Sequence, residues 1–238
     1  MLRMIRKAAV AAVAVLSSAM PLSAAVVINS ANSGYNFSID YAGFVNEAWT
    51  DQVSAFADFT FDGVSNNGLT YNFSYTMTNN SIVDSRIRSF GVDTSGTVTS
   101  LSATGAYQYT DLDGQFPVGV GRLDLCFIAT GNGSCTGGPG GLSSNPDESG
   151  VGTFAVTFAN VMESVTFDNF AVRFQSINPT VNGSSSGVGL GSLAGGGGGN
   201  PITAPEPGTW LMLLVGFGLV GHMLRQQQRR PIALPQAA

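Results

Sequence analysis

Histidine, lysine and cysteine are almost missing from this 238-residue chain. The one histidine, His222, lies in an apolar stretch near the C-terminus, so the rest of the chain cannot build a Ser-His-Asp or Cys-His catalytic site. Two cysteines without a nearby histidine also make a poor zinc site. These shortages exclude several common kinds of enzyme from the middle of the chain.

Positive charge is equally scarce between residues 26 and 178. This segment has four arginines against fourteen carboxylates, which gives a formal charge of −10. Proteins that bind nucleic acid need a basic surface to contact the phosphates. We therefore expect no nucleic-acid partner.

The N-terminus has the three-part pattern of a secretory signal peptide. Three basic residues within the first seven precede an apolar run at 8–16 and a stretch of small residues at 17–25. Cleavage after Ala25 fits best, and cleavage after Ala19 is the second choice. Residues 1–25 are therefore predicted to direct export from the cytoplasm.

An apolar run near the C-terminus, residues 210–224, is predicted to form a single transmembrane helix. At ~1.5 Å per residue it would extend roughly 22 Å, which is short of a hydrocarbon core of ~30 Å. Trp210 at one interface and snorkelling arginines at the other would extend the span. The alternative is a buried core helix, against which the basic residues that follow argue.

A basic stop, residues 225–230, follows this run and contains Arg225, Arg229 and Arg230. Positive charge stays on the cytoplasmic side of a membrane, so everything before residue 205 should face away from the cytoplasm. The two ends of the chain thus make the same prediction, which is export.

The tail as a whole resembles the PEP-CTERM sorting signal of Gram-negative bacteria, which covers residues 205–230 here. The resemblance is carried by Pro205, Glu206, Pro207 and Trp210, then by the apolar run and the arginine cluster. It implies recognition and processing by exosortase, an inner-membrane enzyme like a cysteine peptidase. Residues 231–238 depart from the pattern, because such tails usually end at the arginines.

The resemblance also implies a destination. Substrates of exosortase often belong to exopolysaccharide and biofilm systems. The chain is expected at the periplasmic face of the inner membrane, held by its tail, and after processing at the cell surface or outside the cell.

The middle of the chain, residues 26–178, is predicted to be an all-β domain, an antiparallel β-sandwich of about eight or nine strands. Apolar and polar residues alternate, for example from Leu69 to Met77, and turn residues such as Asn66-Asn67-Gly68 separate the alternating stretches. The alternation slips by one residue after Phe167, which predicts a bulge or bend at Asp168-Asn169. An ion pair between Asp168 and Arg173 is expected beside it.

Residues 124–177 also resemble the "cistern" group of PEP-CTERM proteins. The resemblance lies in Asp124–Phe127, Cys135, Gly152–Phe154, Phe167–Phe170 and Val172–Ile177. It implies no biochemical activity, because none is assigned to that group.

Cys126 and Cys135 are predicted to form a disulfide, which is the default for two cysteines in an exported protein. The eight residues between them include Gly131 and Gly133, so the loop can bend freely. The bond should stabilise the fold by about 2–3 kcal/mol.

Residues 179–204 are rich in glycine and serine and are predicted to be a flexible linker. The linker would hold the sandwich away from the membrane and leave Pro205-Glu206-Pro207 accessible to exosortase.

Candidates for binding chemistry are few. Asp111 and Asp113 alternate at a glycine turn and could chelate calcium, although a solvated hairpin turn is the favoured interpretation and we expect no metal or other cofactor. Trp49, Tyr107 and Tyr109 could line a sugar platform, although aromatic residues in strands more often pack in the core.

The leading hypothesis is a non-enzymatic, exported and membrane-tethered protein, a surface component linked to exopolysaccharide or biofilm matrix. The alternative is a lectin-like carbohydrate-binding module that could use calcium. A hydrolase that uses carboxylates is a third hypothesis, which no particular pair of acids supports.

Overall fold

The computed structural model describes residues 25–117, 119–144 and 148–194. Most of the predicted signal peptide, the predicted transmembrane helix 210–224, the sorting motif and residues 231–238 lie outside the described residues. Within the described ranges, no helix is long and apolar enough to cross a membrane.

The described residues form twelve strands and one short 3₁₀ turn at Asn66–Gly68. The strands are β1 (Val26–Asn29), β2 (Tyr35–Val45), β3 (Ala48–Ser65), β4 (Thr70–Asn79), β5 (Asp84–Thr94), β6 (Val98–Gly105), β7 (Tyr109–Phe116), β8 (Gly121–Ile128), β9 (Leu142–Ser143), β10 (Ser149–Phe158), β11 (Ser164–Asn178) and β12 (Gly187–Leu193).

All twelve strands belong to one antiparallel sheet. Its order is β6-β10-β4-β3-β2-β12-β11-β5-β8-β7, with β1 paired to β11 and β9 paired to β5. The two end strands come together, since the Thr110 hydroxyl of β7 donates to the Leu101 carbonyl of β6 at 3.3 Å. The sheet is therefore folded over and nearly closed. The prediction of an all-β antiparallel fold is confirmed, and the strand count exceeds eight or nine because β1 and β9 are very short and β12 is glycine-rich.

The two halves of the folded sheet meet through aromatic rings. Phe73 and Phe154 stack at 4.8 Å within one half, and Phe90 and Phe127 stack at 4.4 Å within the other. Phe127 and Phe154 join the halves at 4.7 Å. The alternation in the sequence has this cause, because every second side chain of a strand points into the core.

Strand β12 corrects the prediction of a linker at residues 179–204. Gly187–Leu193 lies between β2 and β11, where Val188 pairs with Phe44 on one side and with Arg173 on the other. Its glycines allow close packing, because a Cβ at Gly189 would lie 2.6 Å from the Val172 side chain. The predicted flexible linker is therefore wrong for this stretch, and the domain extends beyond residue 178. Residues 195–204 lie outside the described residues.

The predicted bend at Asp168-Asn169 is confirmed. The register of β11 against β5 shifts between Asp168 and Ala171, and Asn169 has a φ of 51°. Asparagine adopts this left-handed conformation more readily than most residues, so the bulge suits the local sequence.

Candidate functional site

The most unusual polar arrangement in the described residues lies under a glycine-rich segment, residues 129–141, which we call the Cys loop. Cys126 at the end of β8 and Cys135 within the loop are joined by a disulfide, and both are fully buried. The Ser89 hydroxyl donates to the Cys135 carbonyl at 3.0 Å, and the Gly138 amide donates to the Gln175 side chain at 3.1 Å. The loop is therefore fastened onto β5 and β11.

Arg88 lies beneath the Cys loop with no exposed surface. Its Nη2 donates to the Thr130 carbonyl at 3.0 Å, but its Nε and Nη1 have no hydrogen-bond partner among the described residues. Gly133 and Gly138 cover the guanidinium, and a Cβ at Gly133 would overlap Nη2. Burial lowers the pKa of Arg88.

Arg173 lies on the neighbouring strand and also holds the Cys loop. Its Nε donates to the Thr136 carbonyl at 2.9 Å, and its Nη1 donates to the Gly187 carbonyl at 2.8 Å. Burial lowers its pKa. The predicted ion pair between Asp168 and Arg173 is wrong, because the guanidinium points at main-chain carbonyls and the carboxylate lies among other acids.

Those acids form a row across three strands. Asp168 on β11 pairs in register with Asp93 on β5, and Asp93 accepts a hydrogen bond from the Asp124 amide at 3.0 Å. Asn169 donates to the other oxygen of Asp93 at 2.9 Å. Burial raises the pKa of Asp168, and the negative charges of Asp93 and Asp124 raise it further.

The two calcium candidates do not form a cluster of ligands. Asp113 has a φ of 56° and pairs with Arg122, whose Nη1 lies 3.0 Å from Oδ2. Asp111 is exposed on β7. In the described ranges, no group of three or more histidine, cysteine or acidic residues could hold a metal ion.

The three aromatic candidates for a sugar platform differ in exposure. Tyr107 is fully buried and donates its hydroxyl to the Ile87 carbonyl at 2.9 Å, so it cannot be a platform. Tyr109 is 45% exposed and packs over Gly131. Trp49 is also 45% exposed, and its ring meets Phe44 edge-on at 5.1 Å. Sequence reasoning finds Trp49 but misses the support that Phe44 gives it.

Trp49 borders an open cleft of about 700 Å³. The cleft combines one aromatic ring with one carboxylate and two hydroxyl groups. It is lined by Ala42, Gly43, Trp49, Thr50, Asp51 and Ser54.

Polar side chains also form a row on the outer face of the sheet, which we call the hydroxyl row. Asn36, Thr60, Ser74, Thr153 and Thr104 follow one another across five adjacent strands. Thr60 donates to Asn36 at 2.5 Å, and the hydroxyls of Thr104 and Thr153 lie 2.8 Å apart. None of these five side chains carries a charge.

Sequence reasoning also misses Arg88. The sequence gives no signal for it, since Arg86 and Arg88 flank Ile87 in the pattern expected of an exposed strand face. In the structure the pairing of β5 with β11 shifts beside Arg88, and this side chain lies under the Cys loop.

The residues of the predicted sorting motif lie outside the described residues. The support for this motif therefore comes from the comparison with known protein families. Residues 203–230 match the family model of the PEP-CTERM protein-sorting motif. No curated protein and no solved structure matches the chain. The chain is thus a protein with a PEP-CTERM sorting motif, which supports export, passage through a membrane and processing by exosortase.

Proposed function

We propose that the chain is a non-enzymatic structural component of a cell surface or extracellular matrix rich in exopolysaccharide. The observation that carries the proposal is the sorting motif at residues 203–230. Exosortase processes the tail at the outer face of the inner membrane and releases the β-domain to the surface or the medium.

The hydroxyl row supports a matrix role. A hydrated polysaccharide offers many hydroxyl groups and few apolar surfaces, and the row presents uncharged hydroxyl and amide groups across five strands. Its oxygens are the groups available to a sugar hydroxyl, since the Thr60 and Ser74 hydroxyls already donate to Asn36 and Asp62. Water-mediated and direct hydrogen bonds of this kind are individually weak, so retention would depend on many contacts along a polymer.

The test is retention of the protein in extracted matrix. Cells produce the full chain with Thr60, Ser74 and Thr153 replaced by Val, Ala and Val, or with the matched change Ser185→Ala, which alters an exposed serine in the turn before β12. We expect the triple variant to move into the soluble fraction at least several-fold more than the control. Equal retention of both would contradict the role of the row.

A second candidate function is carbohydrate binding at the Trp49 cleft. An exposed indole braced by Phe44 gives a rigid apolar plate, and Asp51, Thr50 and Ser54 supply polar groups beside it. A sugar ring could stack on the indole while its hydroxyls bond to these groups.

Tryptophan fluorescence tests this candidate cleanly, because the chain has two tryptophans. In a Trp210→Phe chain, Trp49 is the sole reporter. We expect its emission to change saturably with oligosaccharides prepared from the matrix, and Asp51→Asn to weaken the binding. An unchanged emission with every matrix fraction would contradict binding at this cleft.

A further inference from the structure

The first strand of the domain begins directly after the predicted cleavage site of the signal peptide. β1 starts at Val26, and the side chains of Val26 and Ile28 are 3% and 1% exposed, whereas Ala25 is exposed. Val26 pairs in register with Phe167 of β11. The sheet therefore holds the residue that cleavage after Ala25 makes the first of the mature chain.

The main-chain nitrogen of Val26 faces β11. The Ser30 amide donates to the Glu163 carbonyl at 2.8 Å, which marks a hydrogen-bonded position where β1 runs along β11. Such positions alternate along antiparallel strands, so Val26, four residues before Ser30, occupies another one and directs its nitrogen at the Phe167 carbonyl. The nitrogen that cleavage after Ala25 turns into an amine thus lies against the sheet.

The acidic row, which consists of Asp168, Asp93 and Asp124, lies beside this nitrogen, because Asp168 directly follows Phe167 on β11. In the described ranges, Asp93 and Asp124 accept hydrogen bonds, but no hydrogen-bond donor or arginine pairs with the Asp168 carboxylate. β1 and β12, the two strands that pair with this edge of β11, carry no charged side chain. The row therefore has no cation of its own beside Asp168.

We propose that the mature N-terminus docks at this place, where the Val26 ammonium donates to the Phe167 carbonyl and forms an ion pair with Asp168. Hydrolysis of the bond between Ala25 and Val26 adds one water, leaves a carboxylate on Ala25 and frees the Val26 nitrogen as an ammonium. An ammonium has three donors, so one continues the ladder and the others are available to the carboxylate. Processing of the chain thereby supplies the acidic row with a positive charge that the uncut chain lacks.

The register of β1 is the observation that identifies the partner of the acidic row, since it places the chain's own N-terminal nitrogen there. Burial raises the pKa of Asp168, and the negative charges of Asp93 and Asp124 raise it further, so a neighbouring cation stabilises the ionised carboxylate. A neutral main-chain amide, which occupies this position before cleavage, brings no such charge. The proposal rests on the predicted cleavage after Ala25 and is independent of the matrix function.

The composition of the chain makes the N-terminal amine easy to modify alone. The single lysine of the sequence, Lys7, lies in the predicted signal peptide, so the processed chain has one amine, which is its N-terminus. An acetyl group on this amine removes the charge but keeps one N–H donor. It is smaller than Ala25, which is exposed at the same place. Acetylation of the folded protein therefore tests the ion pair without a change in the packing of β1.

The first experiment uses the processed chain, purified from producing cells in mild detergent. N-terminal sequencing should find Val26 as the first residue. Trace acetylation with acetic anhydride between pH 6 and 10 then reports the fraction of uncharged amine. We expect its midpoint at least about 0.5 pH unit above the ordinary α-amine value of roughly 7.7–8.0, because the carboxylates favour the charged form. A different first residue, or a midpoint within the ordinary range, overturns the proposal.

The second experiment couples acetylation to Asp168. Complete acetylation should lower the Tm at pH 7 by about 1–4 °C in the wild-type chain. Asp168→Asn should reduce this loss by at least half, and the control Asp62→Asn, which changes an exposed acid on β3, should retain it. One ammonium does not neutralise three carboxylates, so Asp168→Asn still relieves repulsion at neutral pH, and relieves more of it in the acetylated chain. An equal loss in the wild-type and Asp168→Asn chains overturns the proposal, and that result leaves retention in the matrix, tested through the hydroxyl row, untouched.

Discussion

Arg173 on β11 donates from Nη1 to the main-chain carbonyl of Gly187, the first residue of β12, at 2.8 Å. This hydrogen bond connects the glycine-rich strand β12, the last described strand, to β11. The neighbouring strand β2 pairs with the other edge of β12, so the strand fills a place that would otherwise leave two unpaired edges. The segment that resembles a linker by composition therefore completes the sheet.

Replacing Gly189 with valine should destabilise the fold. A Cβ at this position would lie 2.6 Å from the Val172 side chain and 2.9 Å from the Phe174 ring. Overpacking of this kind costs about 1–3 kcal/mol. The measurement is the free energy of unfolding in urea, with Ser185→Ala as the control, which should change it by less than about 0.5 kcal/mol. An unchanged stability in Gly189→Val would mean that β12 is not packed as described.

Removing the disulfide should weaken the fold without abolishing it. The bond between Cys126 and Cys135 closes a loop of about ten residues, and its loss should cost about 2–3 kcal/mol through chain entropy. We expect the urea midpoint to fall when a reductant is added. The double variant Cys126→Ala and Cys135→Ala should show the lower midpoint with or without reductant. A double variant that keeps the wild-type midpoint would show that the bond contributes nothing.

Two buried tyrosines should respond in opposite ways to loss of the hydroxyl. Tyr41 has a buried hydroxyl with no partner among the described residues, so Tyr41→Phe should be neutral or stabilising by up to about 1 kcal/mol. Tyr107 donates to the Ile87 carbonyl at 2.9 Å, so Tyr107→Phe should cost about 1–2 kcal/mol. Thermal unfolding of both variants decides the matter, and a larger loss in Tyr41→Phe than in Tyr107→Phe would contradict the described core.

Asp168 should make the fold more stable in mild acid. Its pKa is raised by burial and by Asp93 and Asp124, so the folded state holds this proton more tightly than the unfolded state does. The stabilisation from protonation is complete below the ordinary aspartate value of 3.8 and is lost as the pH rises through the higher folded value. At neutral pH the ionised group therefore opposes folding.

Asp168→Asn should consequently raise the stability at pH 7 by at most about 0.5–1 kcal/mol, because solvent screens this half-buried group. The advantage over wild type should shrink as the pH falls toward 4. Thermal unfolding between pH 4 and 7 measures the difference between the two chains. A variant that is less stable than wild type at pH 7, or a difference that does not depend on pH, would refute this account of the acidic row.

The sequence predicts the strands whose inward residues are large and apolar. β4 is the clearest case, because Tyr71, Phe73, Tyr75 and Met77 alternate with polar residues and all four are buried. Alternation cannot predict β12, because Gly187, Gly189 and Gly191 have no side chains that could be apolar or polar. These glycines allow the side chains of β11 and β2 to pack closely against β12. The need for glycine comes from strands that are distant in the sequence, so the local sequence does not reveal it.

The candidate sites also divide into one that a local sequence pattern predicts and one that depends on tertiary packing. The sorting motif is a local pattern of prolines, apolar residues and arginines, so the sequence alone suffices to find it. The position of Arg88 depends on a shift in strand pairing and on a loop that folds back from β8, and no local pattern reports either of them.

Replacing Pro205, Glu206 and Pro207 with alanine in producing cells tests the sorting account most directly. After cell fractionation, intact-mass measurement should find the wild-type chain without its C-terminal segment and outside the inner membrane. The variant should keep that segment and remain in the membrane fraction. If the variant and the wild-type chain have the same mature mass and the same location, processing through this motif is contradicted.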